Sequence, residues 1–154
     1  MPTKIDKTDV SIITELVNDA SISIPDLAKK INIKQSMIYS RINRLLKKKI
    51  IKYYTIVVNT QELGYNVKAL TGLKMNTKKR DYVIEELLKI GEVCGIAEVT
   101  GRFDIIVTTY SKTLDDLHKL TSEEFGRIDG ILSSESFIEM NGITKAIPRL
   151  MGKL

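Results

Sequence analysis

The chain has 154 residues, 43% hydrophobic and 28% charged, enough to bury one ordinary core or two small ones and too apolar for a disordered polymer. No apolar run reaches the roughly 18 residues that span a bilayer, and the start MPTKIDKTD lacks the apolar stretch of a signal peptide, so no membrane partner is expected and the cytoplasm is the expected compartment. One Cys and one His exclude an internal disulfide and leave no zinc ligand set; no metal or cofactor is expected.

The net charge of +5 is unevenly divided. Residues 1–53 carry 11 Lys/Arg against 5 Asp/Glu, a net +6, whereas residues 54–154 carry 13 against 14, a net −1. The basic excess belongs to the first third, which points to a nucleic-acid-binding head on a neutral body. A membrane-surface helix is the weaker reading, because such helices lie on lipid without a compact domain ahead of them.

From Asp6 to Asp19, Val10, Ile13, Leu16 and Val17 recur at helical spacing, with Asp6 or Thr8 placed to cap the first helix. Ser23 caps a second helix, with Pro25 in its first turn, Asp26 at its third position, and Leu27, Ala28 and Ile31 facing inward. Asn32 ends it, since Asn tolerates the left-handed conformation such a turn needs.

Between Lys34 and Lys52 the chain holds seven basic residues and no acid, yet keeps an apolar stripe at Ile38, Ile42 and Leu45. Gln35, Ser36, Tyr39, Ser40 and Asn43 then face outward, flanked by Lys34, Arg41, Arg44 and Lys47. Base edges and phosphates require such amides, hydroxyls and cations. Lys34, Arg41, Arg44 and Lys47 are expected to hold phosphates of double-stranded DNA, and Gln35, Ser36, Tyr39 and Asn43 to read bases; a merely solvated helix is the plain alternative. Helix two, a short turn and this helix form a helix-turn-helix, so residues 1–53 read as a winged or three-helix DNA-binding domain.

The β-rich run Tyr53–Val58 suits a wing or a connector strand, and Asn59 to Glu62 a capped turn stopped by Gly64, which makes 54–66 a connector and hinge. Strands are expected over Val67–Met75, Val93–Val99, Phe103–Tyr110 and Ile131–Met140. Between them come helices over Asp81–Ile90, burying Val83, Ile84, Leu87 and Leu88, and after Thr113, burying Leu114, Leu117, Leu120 and Phe125. Gly126–Gly130 is the last turn. The order βαββαβ over 67–141 is that of a ferredoxin-like α+β domain, followed by a tail over 142–154. One sheet face would be bare, and the last strand carries apolar residues on both sides, so a second subunit is the natural cover.

The tight link Thr100-Gly101-Arg102 is either an ordinary hairpin turn or a small-molecule site, with backbone N–H groups for a carboxylate and Asp104 for an ammonium. Arg102 pairs with a ligand carboxylate or faces solvent; Glu135 and Ser136 complete the candidate set. Cys94, in an apolar strand, reads as core.

Over nearly its whole length the sequence resembles the Lrp/AsnC (feast/famine) transcription regulators. The resemblance rests on Asp6 to Asp9, Leu27-Ala28, Ile38 to Leu45 with Arg41 and Arg44, Ile50 to Tyr54, Asn59, Leu63-Gly64, and Val99-Thr100-Gly101 with Asp104. It implies an N-terminal helix-turn-helix, a connector strand, dimers paired through the C-terminal sheets and assembling to tetramers or octamers, and an amino acid or related effector bound where dimers meet.

The sequence departs from the family pattern at Lys34, where a capping Ser is usual, at Asn32 and Lys49, where Gly is usual, and at Thr60, where Pro is usual. An architectural DNA-coating protein is the first alternative function. An enzyme like the sirohaem decarboxylases, which share the two-domain layout, is the second.

Overall fold

The computed structural model describes residues 5–143, so all but the first two residues of the expected tail lie outside the described residues. The polypeptide forms two compact units, one running to Val57 and the other from Val58 to Gly142.

The first unit has three helices, α1 (Lys7–Asn18), α2 (Ile24–Ile31) and α3 (Gln35–Lys47). Asp6 caps α1 in a reciprocal box with Asp9, and Ser23 caps α2 by accepting from the Asp26 N–H. The core is Ile12, Leu27, Ala28, Ile38, Ile42 and Leu45, so both expected stripes of α2 and α3 face inward. In α1 the stripe differs from expectation. Asp9 and Ile12 are fully buried, Ile13 and Leu16 pack beside them, and Val17 is exposed. These positions follow one helical face, and an apolar-only count misses it because Asp9 is charged.

The ends of α2 and α3 are built alike. Asn32 (φ 55°) and Lys49 (φ 55°) both take left-handed backbone. In each case the next residue reaches back five positions, Ile33 N–H to the Ala28 carbonyl at 3.1 Å and Ile50 N–H to the Leu45 carbonyl at 2.9 Å. Both are Schellman closures, in which orphan carbonyls are satisfied and an isoleucine folds back on the core. Here Asn and Lys sit where Gly would be strain-free.

Tyr53–Val58 has no helix and no strand pairing among the described residues, so within them it forms neither a wing nor a ladder strand. Val57 is 100% and Ile56 81% exposed. β-branched side chains favour the extended backbone, but a strand needs a partner edge, and none is supplied here.

The second unit opens with the Asn59–Gly64 turn, where the Asn59 side chain accepts from the Gln61 and Glu62 N–H groups and Gly64 takes φ 86°. Then come β1 (Val67–Met75), α4 (Arg80–Leu88), β2 (Val93–Glu98), β3 (Ile105–Ser111), α5 (Leu114–Lys119) and β4 (Ile131–Ile138). The chain beyond α5 stays helical, through a π-turn at Leu120–Glu124 and a last turn at Phe125–Arg127, so the loop into β4 is shorter than expected. The sheet is antiparallel in the order β2-β3-β1-β4, the ferredoxin-like arrangement.

One sheet face carries the core: Ala69, Leu73 and Met75 of β1 and Ile105 and Val107 of β3 against Val83, Leu87, Leu117, Leu120 and Phe125. Leu88 and Leu114, expected inside, are 65% and 58% exposed; they are the last residue of α4 and the first of α5. Cys94 is exposed rather than core: it lies where the register of β2 on β3 shifts between Val93 and Gly95, so alternation between the core-packed Val93 and Ile96 is broken there.

Candidate functional site

The outer face of α3 is assembled as the spacing requires. Lys34, Gln35, Ser36, Tyr39, Ser40, Asn43 and Lys47 are all exposed, Tyr39 by 64%. At about 100° per residue, Ser36, Ser40, Asn43 and Lys47 share an arc of about 60° directly opposite Ile38, Ile42 and Leu45. No side chain caps the N-terminus of α3, where Lys34 is the N-cap residue, so its first amide groups point outward beside a lysine.

Arg41 and Arg44 behave differently. Both lie on the flank of α3 that meets α1. Arg41 Nη1 donates to the two Asp6 oxygens at 2.8 and 2.6 Å and to Asp9 Oδ1 at 2.8 Å, while Arg44 Nη2 donates to Asp9 Oδ2 at 2.5 Å. The Asp9 carboxylate is fully buried, and its Oδ2 also accepts the Asp6 N–H at 3.1 Å. Where the sequence leads us to expect Arg41 and Arg44 free for phosphates, both are ion-paired within the head in the free chain.

Electrostatics agree with the geometry. Burial pushes the Asp9 carboxyl up, but the Asp6 N–H and the two guanidinium groups outweigh it and hold Asp9 below the usual carboxylate range. The Arg41 hydrogen bond also lowers Asp6, and the same bond, with that to Asp9, raises Arg41.

In the second unit the expected effector residues fall into three places. The β2–β3 link is longer than the tight turn expected, running from Val99 to Asp104 and closed by the Val99 N–H to the Asp104 carbonyl at 3.1 Å; Thr100 and the positive-φ Gly101 are at its exposed tip. Asp104 turns inward, where Oδ2 accepts the Met75 N–H at 2.9 Å, so one of the oxygens expected for a ligand ammonium already has a donor. Arg102 crosses the uncovered sheet face to Glu135, Nη2 to Oε1 2.7 Å.

Ser136 does not join Glu135. Successive strand residues face opposite sides, and Ser136 Oγ lies 2.9 Å from Thr71 Oγ1 on the helix-covered face. Sequence reasoning also missed the aromatic floor under Arg102. Its guanidinium sits 4.7 Å from the Phe103 ring centre and 5.6 Å from that of Phe137, and the two rings meet edge to face at 6.2 Å. Gly72 makes this possible, because a Cβ there would overlap the Phe103 ring; a glycine inside a strand pattern was the available signal.

A helix-turn-helix head with an exposed polar and basic second helix, followed by a ferredoxin-like body, defines a class of DNA-binding regulators. Comparison with known proteins gives the family. Residues 5–46 match the AsnC-type helix-turn-helix domain, and residues 68–146 the Lrp/AsnC ligand binding domain. An HTH-type transcriptional regulator of Pyrococcus horikoshii is 32% identical over 135 residues, covering 88% of this chain and 85% of its own. The structure of Escherichia coli AsnC superposes with a TM-score of 0.86 at 26% identity, covering 94% of this chain and 98% of that one. A transcriptional regulator from Neisseria meningitidis, solved as its L-Met complex, gives 0.89 at 16% identity, covering 94% and 97%; at that identity the likeness is one of fold. The chain belongs to the Lrp/AsnC family of transcriptional regulators. Among the described residues no helix is long and apolar enough to cross a membrane.

Proposed function

We propose that this regulator is a homodimer, or an assembly of dimers, that binds specific operators and responds to an amino acid or related zwitterion. The observation that carries DNA reading is the outward arc of α3, where amide, hydroxyl and lysine side chains stand opposite the buried stripe. Gln35, Ser36, Tyr39, Ser40 and Asn43 reach base edges in the major groove, and Lys34 and Lys47 hold the flanking phosphates. Paired heads enter successive major grooves roughly 34 to 36 Å apart on a pseudo-palindromic site.

Dimer formation is supported by the sheet face without helices, which exposes Leu70 and Phe137, and by the run Tyr53–Val58, unpaired among the described residues. Both supply apolar or hydrogen-bonding edges that a second copy satisfies. The effector reading rests on the Val99–Asp104 loop and on Arg102 with Glu135. Their side chains are 62% and 50% exposed and offer one positive and one negative group 2.7 Å apart, a match for the carboxylate and ammonium of an α-amino acid. The L-Met complex of the Neisseria neighbour is consistent with that ligand class.

Paired substitutions test the DNA reading. Gln35→Ala is expected to relax base preference with a modest loss of affinity, and Lys47→Ala to weaken all sequences alike. The reverse pattern in a binding assay across single-base operator variants would overturn the assignment.

A further inference from the structure

The cations of α3 are not equivalent. Lys34 and Lys47 are exposed, whereas Arg41 and Arg44 are held against α1 by Asp6 and Asp9. Asp9 is the centre of this arrangement, with no exposed side-chain surface and both oxygens occupied, Oδ1 by Arg41 and Oδ2 by Arg44 and the Asp6 N–H. A phosphate that drew either arginine away would leave a buried carboxylate short of its counter-charge, which is costlier than leaving a surface ion pair. Exchanging this pairing for a DNA contact is therefore disfavoured.

We infer that Asp9, seconded by Asp6, is a specificity-determining residue: it withdraws Arg41 and Arg44 from the DNA backbone, so that α3 binds through its base-reading arc rather than through phosphate attraction alone.

The consequence for binding follows from counterion release. Sequence-independent affinity grows with the number of phosphates neutralised, each steepening the log–log salt slope by about 0.9. On the operator the base-reading arc fixes how α3 sits, whereas bulk DNA is held through phosphates alone, so two further free cations would raise bulk affinity more than operator affinity and narrow the ratio between them. Two cations held in reserve keep that ratio wide. The inference rests on the proposed DNA reading and adds to it an acid that touches no DNA.

The test compares the full-length wild type with Asp9→Asn on operator and scrambled duplexes across a salt series. Asn keeps the size of the side chain but not the charge that holds the arginines. Wild-type binding that falls with salt establishes the DNA reading itself, so its absence would count against that reading before Asp9 is considered. Given such binding, Asp9→Asn is expected to bind scrambled DNA at least tenfold tighter at low salt. Its slope should steepen by about 0.9 for each arginine released per head, and its operator-to-scrambled ratio should fall.

Damage to the fold would weaken binding to both duplexes, which is the opposite sign. An unchanged slope, or weaker binding to both by a folded variant, overturns the inference. Should Asp9→Asn fail to fold, the wild type decides. Arginine-detected NMR of the DNA complex is expected to show no guanidinium–phosphate coupling for Arg41 or Arg44, and coupling at either would overturn the inference.

Discussion

The two units of this chain treat charge and apolar surface in opposite ways. The head buries a carboxylate, neutralises two of its arginines internally and leaves a polar arc outside. The body buries an apolar layer on one side of its sheet and leaves Leu70, Phe103 and Phe137 on the other, with the ion pair Arg102–Glu135 lying across them. What each unit leaves uncovered is what its proposed partners would cover: an anionic duplex for the head, and for the body a second copy and a small zwitterion.

The sharpest way to separate the units is to damage one core. Leu45 is fully buried among six residues of the head, and Leu45→Ala is expected to cost about 3 kcal/mol. Hydrogen exchange is expected to accelerate in α1–α3 while β1 and β3 keep their protection; equal loss in both units would deny them separate cores.

A charge on the uncovered sheet face is the next largest perturbation. Phe137→Glu removes the edge-to-face partner of Phe103 and is expected to shift the proposed dimer towards monomer in sedimentation, with the ellipticity of the fold retained. An unchanged sedimentation coefficient would move the dimer interface elsewhere.

Acid provides a graded test of the head. Asp6 and Asp9 have folded-state pKa values below the ordinary 3.8, so they bind protons less readily when folded than when unfolded. Their contribution is present above about pH 4 and is lost as the pH falls below that range, through their lowered values. Head unfolding followed by NMR is expected to show this loss, and Asp9→Asn to flatten it.

The smallest effect is at Lys49. Its left-handed backbone (φ 55°) disfavours any side chain, so Lys49→Gly is expected to stabilise the head by up to about 1 kcal/mol in denaturant unfolding.

The helix-turn-helix was legible because the Ile38, Ile42 and Leu45 stripe, the Ser23 cap and the Asn32 turn are local signals. The βαββαβ order was legible from alternation and from the Thr113–Asp116 capping box. What escaped depends on pairing over long sequence distance. Asp9 lies 32 and 35 residues from the arginines that make its burial tolerable, so nothing near Arg41 in sequence announces that it is occupied. Alternation along the expected strand already set Glu135 and Ser136 on opposite sides of the sheet, whereas their partners, Gly72 and Thr71 across the strand pair, come only from the register of β4 on β1. Leu88 and Leu114 are exposed at the terminal positions of their helices, and periodicity does not encode where a helix ends.

The measurement that bears most directly on an effector-responsive regulator is binding to DNA upstream of its own gene against a scrambled control, at two salt concentrations, with and without an amino-acid mixture. The expected result is tighter binding to the upstream DNA, weakening with salt and shifted by the mixture. Equal binding to both duplexes, unmoved by amino acids, would contradict it and point to an architectural DNA-coating role.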